Sequence, residues 1–599
     1  MNKFIKYLTI GLFAMSVLFA CSESNTGFSD PDTTVFNKEI VFKDSLMSFE
    51  FVAGIYAQMV DINYFLDNGI YSGSCWMWDD ASNNSHQVYT GSAQMSYRWT
   101  TNTVTSTDAR TKRHWTIPYS CIFRVNTVLN NIEKTPISSS IQERLKAEVR
   151  FIRAYQYYHL LRCFGGTPIY GDMEVGPSSD LKVFSRATFE EQVDYIVKEC
   201  TEIARILPPD YESKDYGRAT SGAALALKAR VLLYAASQLN NNNNLPAGVT
   251  QWPAELVPVL KYPNYDKERW KKAVDAAKAV IDLNRYSLVV DNTTRPGNGF
   301  YTMQITRKNS EIIFPLLKNN NSRYPANCFL PKSTGGSPQS WPIQNLVDAF
   351  LMKDGKRIDD KNSKYNYAVE TMYENRDPRF YYTILYDGAM WRQSSSSATK
   401  VRLNMSAAST TTDKFEWGAN NNKTGYLWRK FCSEDMAGNG PGYTDWGFPF
   451  IRFAEMYLAY AEALNEYYGP GSHRNEIQEQ IIKIRERAGI DPGDNGLYGI
   501  PAGWTQEQMR DLIFNERRIE FAAEEAIHYF DMKRCNLLVK YKSEVPIKIA
   551  QWNKPYPTTD VEFIIPYNAR FDPGRQYFFP IPPGEIDKVG KSLIQNPGW

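Results

Sequence analysis

Histidine is scarce in this chain, and it is badly spaced for a metal site. The five residues His86, His114, His159, His473 and His528 are scattered, without an H-x-x-x-H pair or a Cys/His cluster, so no zinc site is expected. C-x-x-C is also missing among the eight cysteines, which leaves no thioredoxin-like or zinc-ribbon spacing. There is no excess of one charge either. Lysine plus arginine (68) nearly cancels aspartate plus glutamate (66), so no global field favours nucleic acid or an acidic partner. G-x-S-x-G, a Walker loop and a dinucleotide fingerprint are absent, which removes the serine-hydrolase elbow, the P-loop and the Rossmann site. No cofactor is expected. A glycosidase needs two facing carboxylates. Asp79-Asp80, Glu311, Asp348 and Asp360 are available, but nothing selects a pair, and neighbours in an extended chain point to opposite faces.

What the chain has in quantity is aromatic rings. Its 14 Trp, 38 Tyr and 31 Phe suit flat ligands such as sugars as well as a rich core. The N-terminus is equally informative. Lys3 and Lys6 precede an apolar run over 7–20 that ends Leu18-Phe19-Ala20-Cys21, the pattern of a lipoprotein signal and too short to span a bilayer well. Cleavage after residue 20 leaves Cys21 as the lipidated first residue, so the rest of the chain reads as extracytoplasmic, held to a membrane by acyl chains such as palmitate. Residues 21–44 read as a flexible tether, since 22–32 are small, polar and acidic. Without Cys21 seven cysteines remain, expected mostly as buried thiols; a disulfide among Cys75, Cys328 and Cys432 stays open.

The periodicity predicts a mostly α fold. Phe51, Ile55 and Met59 recur at helical spacing, and strong helical patterns follow over 117–132, 141–164, 189–207, 219–237, 270–283 and 451–468. Gly165-Gly166 stops one helix and Pro168 prevents its restart. The Trp/Ala/Tyr/Leu spacing of the last two is that of tetratricopeptide-like helical hairpins without a strict 34-residue period. Boundaries are placed at 45–284 for an N-terminal helical region and 285–599 for a C-terminal region. The latter carries a loop-rich insertion over 285–445, where Gly, Asn, Ser and Thr alternate with Tyr and Trp. Long insertions of this kind are either functional or an irregular second lobe with its own core.

One loop stands out. Ser74-Cys75-Trp76-Met77-Trp78-Asp79-Asp80-Ala81-Ser82-Asn83-Asn84 sets two indoles beside two carboxylates and two amides. Indole faces stack on pyranose C–H faces, while carboxylate and amide oxygens accept from sugar hydroxyls. The alternative is a buried Trp pair with capping Asp and Asn residues.

The chain resembles the SusD/RagB family of outer-membrane, glycan-binding lipoproteins of the Bacteroidota. The motifs in order are the lipobox at Cys21, Ala147-Glu148-Val149-Arg150-Phe151-Ile152-Arg153-Ala154-Tyr155, Phe164-Gly165-Gly166-Thr167-Pro168 and Gly217-Arg218-Ala219-Thr220. Asn375-Arg376-Asp377-Pro378-Arg379-Phe380, Ile484-Arg485-Glu486-Arg487-Ala488-Gly489 and Glu516-Arg517-Arg518-Ile519-Glu520-Phe521 follow, and the chain ends Gln595-Asn596-Pro597-Gly598-Trp599. The charged segments also read without any family, as ion pairs along one helix and across to Arg485 or Arg487. The resemblance implies a non-catalytic, surface-exposed oligosaccharide binder. It implies as partner a TonB-dependent, SusC-like transporter that the lipoprotein covers as a lid. It also implies a ligand platform on the long loops, with Trp76, Trp78, Asp79, Asn83, Asn84 and Trp99 on one side and Tyr324, Trp341 and Trp391 on the other. A peptide-binding or structural scaffold of such a transporter, and a lipoprotein glycosidase, are the other two readings.

Overall fold

The computed structural model describes residues 37–62, 78–87, 95–176, 179–317, 329–338, 340–392, 399–416, 423–434, 447–524, 526–566 and 570–599. Helices dominate. In chain order the main ones are α1 (Ser45–Ile62), α2 (Ala109–Asn131), α3 (Ser139–Phe164), α4 (Phe189–Ile203) and α5 (Ser221–Ala236). They continue with α6 (Glu268–Ile281), α7 (Phe453–Tyr468), α8 (Arg474–Arg487), α9 (Gln506–Glu520) and α10 (Ile527–Arg534). Each packs on the next from α1 to α8, and α9 lies against α7. This is the stacking of helical hairpins that the Trp/Ala spacing predicted, and α6 meets α7 across the whole intervening insertion.

Local sequence sets the helix ends. Thr188 with Glu191 and Thr505 with Gln508 form capping boxes at α4 and α9, each satisfying two N–H groups that the helix leaves open. α3 stops at Gly165, with φ +81°, and the following Gly166 donates its N–H to Val259 O at 2.7 Å. A Cβ on Gly166 would lie 2.0 Å from Ala187 O, so only glycine lets the chain pass there. α2 starts earlier than the pattern over 117–132 indicated and runs through Pro118, which removes one donor from the helix. From Ala147 to Phe164 nearly every side chain of α3 is buried, the mark of a helix enclosed on all sides rather than one on a surface.

The insertion is tied down by two-stranded antiparallel ladders. β1 (Ser85–Gln87) pairs with β3 (Ser340–Pro342), and β2 (Ile312–Leu317) with β8 (Gly447–Arg452). β4 (Ile384–Tyr386) pairs with β7 (Tyr426–Trp428), β5 (Met390–Arg392) with β6 (Lys400–Arg402), and β9 (Ile549–Trp552) with β10 (Val561–Ile564). Strand β8 runs straight into α7, so the two ends of the insertion close at the helical stack. One continuous core joins both regions, from Phe42 to Leu593. The C-terminus is built into it: Trp599 stacks on Trp99 at 6.1 Å and donates its Nε1–H to Arg575 O and Phe578 O. Asn596 Nδ2 donates to Phe164 O at the end of α3.

The tether expected over 21–44 does not hold at its C-terminal end, where residues 37–44 are structured. Lys38–Val41 is helical, capped by Asn37, and Phe42 is fully buried with its ring against Phe51, an apolar anchor that composition over 22–32 could not reveal. Cys21 lies outside the described residues. Cys121, Cys163, Cys200, Cys432 and Cys535 are buried and outside any disulfide, as expected for small hydrophobes; Cys75 and Cys328 lie outside the described residues.

Candidate functional site

The segment that looked like a sugar-binding loop forms an internal clasp from Trp78 onward. Trp78–Ala81 makes a 3-10 turn, and the Trp78 ring sits among Tyr529, Phe530 and Phe579 at 5.0–5.7 Å between centroids. Asp79 accepts from the Ala523 N–H and, at 3.3 Å, from Asn84 Nδ2. Burial pushes its carboxyl up to about 6, against the pull of those two hydrogen bonds. Asp80 Oδ1 accepts from Ser85 Oγ and Ser340 Oγ, both at 2.6 Å. Asn83 donates to Tyr541 O, and Asn84 Oδ1 accepts from Arg518 Nε at 2.7 Å. Asp79, Asn83 and Asn84 face the C-terminal segments at Ala523, Tyr541 and Arg518, and Asp80 faces β1 and β3.

The other nominated rings are also interior. Trp99 donates its Nε1–H to Tyr529 OH at 2.8 Å. Trp341 is opposite His86 in the β1·β3 ladder and has no exposed surface. Trp391 is buried under the Arg429 guanidinium, 5.4 Å from its ring. Trp78, Asp79, Asn83, Asn84, Trp99, Trp341 and Trp391 are therefore corrected from a surface platform to core and clasp positions. Composition nominates an aromatic-and-amide loop equally for sugars and for a polar core; only the partner chain, more than 400 residues away at Arg518 and Ala523, decides. Trp76 and Tyr324 lie outside the described residues.

The clasp nevertheless brings together two places that matter. Phe329, where description resumes after the segment of Tyr324, packs on Trp428 at 6.0 Å. Trp428 donates its Nε1–H to Ser340 Oγ at 3.2 Å, and Ser340 bonds Asp80, two residues after Trp78. The preceding ends are also neighbours. Ala53, Tyr56 and Ala57 of α1 and Phe314–Leu317 of β2 wall one cleft of about 280 Å³, together with Tyr216 and Arg218. Arg218 is committed there, to Glu148 at 2.9 Å and Asp215 at 2.7 Å.

The carboxylates considered for catalysis are not an open facing pair. Glu311 binds Arg452 at 2.7 Å and Arg487 at 3.2 Å. Asp348 accepts from Gln344 Nε2 at 2.7 Å, and Asp79 and Asp80 turn to different partners. Glu311 belongs to a buried network in which Arg379 holds Asp377, Glu516 and Glu520 at 2.7–2.9 Å. Arg452 adds Glu520 at 2.6 Å and Glu524 at 2.7 Å. Arg485 reaches Glu516 and Arg487 reaches Glu520, the cross-helix pairing read from the sequence. Burial raises the Glu520 carboxyl, but Arg487, Arg452 and Arg379 outweigh it and hold the group well below the usual carboxylate range. The 147–155 motif is likewise a set of ties: Glu148 accepts from Tyr56 OH and Arg218, and Arg153 holds Glu199 at 2.9 Å.

One cluster escaped sequence reasoning. His114 of α2 meets His159 and Cys163 of α3, all buried. The H-x-x-x-C spacing within α3 was the available signal, but its partner is 45 residues upstream. Burial pushes the His114 imidazole down to about 3 and the His159 imidazole far below its ordinary value, with Arg162 adding to both.

The architecture is a stack of helical hairpins that carries a laddered, loop-rich lobe. The chain belongs to the SusD family: the family model described as "SusD family" matches residues 301–599, and a second, described as "Starch-binding associating with outer membrane", matches 47–233. Among curated proteins it is 22% identical to SusD-like protein P2 of Formosa agariphila over 486 residues, 81% of this chain and 80% of that protein. Among solved structures it is similar to a SusD-like protein from Bacteroides fragilis, with TM-score 0.74 and 23% identity over 95% of this chain and 99% of that one. A laminarin-binding SusD-like protein shares the fold with TM-score 0.60 and 18% identity, over 93% and 100% of the two chains.

Proposed function

We propose that this protein is a non-catalytic oligosaccharide-binding lipoprotein, anchored in the outer membrane through Cys21 and facing the cell surface. It captures a glycan and passes it, as a lid, to a TonB-dependent, SusC-like transporter. Family membership across both halves of the chain supports this reading, as does the carbohydrate named for its relatives. Two binding faces closing on one ligand raise its effective concentration without tight binding at either.

Within this reading Trp76 and Tyr324 are the sugar-stacking residues. The supporting observation is the Trp78–Asp80–Ser340–Trp428–Phe329 chain of contacts, which fixes one end of each segment on a common base. Trp78, Asp79, Asn83, Asn84, Trp341 and Trp391 then serve the ligand only by supporting that base. Affinity electrophoresis through neutral and acidic polysaccharides tests it. Trp76→Ala and Tyr324→Ala should each abolish retardation by the one glycan that binds, with the melting temperature unchanged. Trp341→Ala should instead lower stability by about 3–5 kcal/mol. Retardation of both variants would refute the assignment, and no retardation of the wild type by any glycan would favour peptide cargo.

A further inference from the structure

α2 and α3 enclose three buried ligand-type atoms. His114 Nδ1 lies 3.0 Å from His159 Nε2, Cys163 Sγ lies 3.7 Å from the same nitrogen, and all three atoms are within 4.8 Å of one another. Each of the three residues is 1% exposed. The i, i+4 spacing of His159 and Cys163 puts them on one face of α3, and α2 supplies the third side chain from across the helix pair. Both polar contacts of His159 are on Nε2, with His114 and Cys163, while its Nδ1 has no hydrogen-bond partner among the described residues. The ring is thus aimed at the point where the other two converge.

We propose that His114 Nδ1, His159 Nε2 and Cys163 Sγ form a three-coordinate site for one soft d10 cation, with copper(I) preferred over zinc. The spacing supports a metal. Bonds of about 2.0 Å to nitrogen and 2.3 Å to sulfur place nitrogen and sulfur roughly 3.6–3.8 Å apart around a shared ion, which the His159–Cys163 separation already matches. The two nitrogens would open by about half an ångström from a separation set by a shared proton. Imidazole and thiolate are the ligands that soft cations select, and no carboxylate joins the three atoms among the described residues.

Charge decides between the two metals. Arg162 adjoins Cys163 in sequence, its guanidinium stacked 4.3 Å from the Phe530 ring, and Lys533 Nζ donates to Arg162 O at 2.6 Å. Binding of copper(I) releases the thiol proton to solvent and leaves a copper–thiolate unit of zero net charge, the same as before binding. Zinc would leave one uncompensated positive charge, buried beside those cations, which is strongly unfavourable. Three ligands also complete a copper(I) site, whereas structural zinc takes four. The ion would join the N-terminal part of α2 to the C-terminal end of α3.

The full chain, refolded anaerobically with the copper(I) bicinchoninate complex or with zinc chloride and then desalted, tests this by elemental analysis. The expected result is one equivalent of copper retained, little zinc, and a melting temperature raised by copper. Cys163→Ser should cut retained copper at least tenfold, and His159→Gln should weaken retention. Should either variant fold poorly by circular dichroism, X-ray absorption on the copper-loaded wild type replaces it, with mixed sulfur and nitrogen ligation expected. No retained copper in the folded wild type, preference for zinc, retention unchanged in a folded Cys163→Ser, or copper bound by nitrogen and oxygen alone would each overturn the proposal.

Discussion

Between about pH 4 and about pH 6, Asp79 changes its contribution to the fold. Its carboxyl is raised to about 6 in the folded chain by burial, above the value near 4 of an exposed aspartate. Folding therefore takes up a proton in that window. The stabilising contribution is complete below about pH 4 and is lost as the pH rises through 6, a loss on the order of 2–3 kcal/mol. Asp79→Asn keeps an oxygen to accept the Ala523 N–H and has no charge to bury. The variant should thus gain on the wild type steadily from pH 4 to pH 7 in urea denaturation, whereas parallel stability curves would show that Asp79 does not titrate in this way. At this scale the sequence misled in a specific manner. It revealed that residues 76–84 combine rings, acids and amides, which was correct, but Arg518, Ala523 and Tyr541 complete those groups, and nothing local points to them.

At the scale of elements, α9 ties separate parts of the C-terminal region together through its buried acids. Glu520 accepts from Arg379, Arg452 and Arg487, which come from the 376–379 turn, from β8 and from α8. Glu520→Gln would leave three guanidinium groups short of one negative charge inside the core, at a cost of about 3–5 kcal/mol. Its acid limb should also flatten, because a carboxyl held below its unfolded value contributes stability that disappears as the pH falls. Guanidinium denaturation at pH 7 and pH 4 measures both, and an unchanged midpoint at pH 7 would mean that the network is dispensable. Here the sequence was a good guide. Charges three and four apart beside an apolar stripe announced a paired helix, and Arg485 and Arg487 were the neighbours it named. The helices themselves were equally legible, since α3, α5, α6 and α7 follow from apolar spacing and from Gly165. The insertion was not, because two-stranded ladders of three residues leave too short an alternation to read.

For the whole molecule, a main core spanning Phe42 to Leu593, with two small apolar clusters beside it, predicts one cooperative transition. Tryptophan fluorescence and far-ultraviolet circular dichroism should report superimposable urea curves; separated midpoints would divide the chain into units that the packing does not distinguish. The seal at the end of α3 adds a matter of timing. Trp599 on Trp99, and Asn596 on Phe164, are contacts across 500 and 432 positions of the sequence. The segments around residues 99 and 164 complete their packing only when residues 596–599 reach them. Closures of such long range come late and slowly in folding.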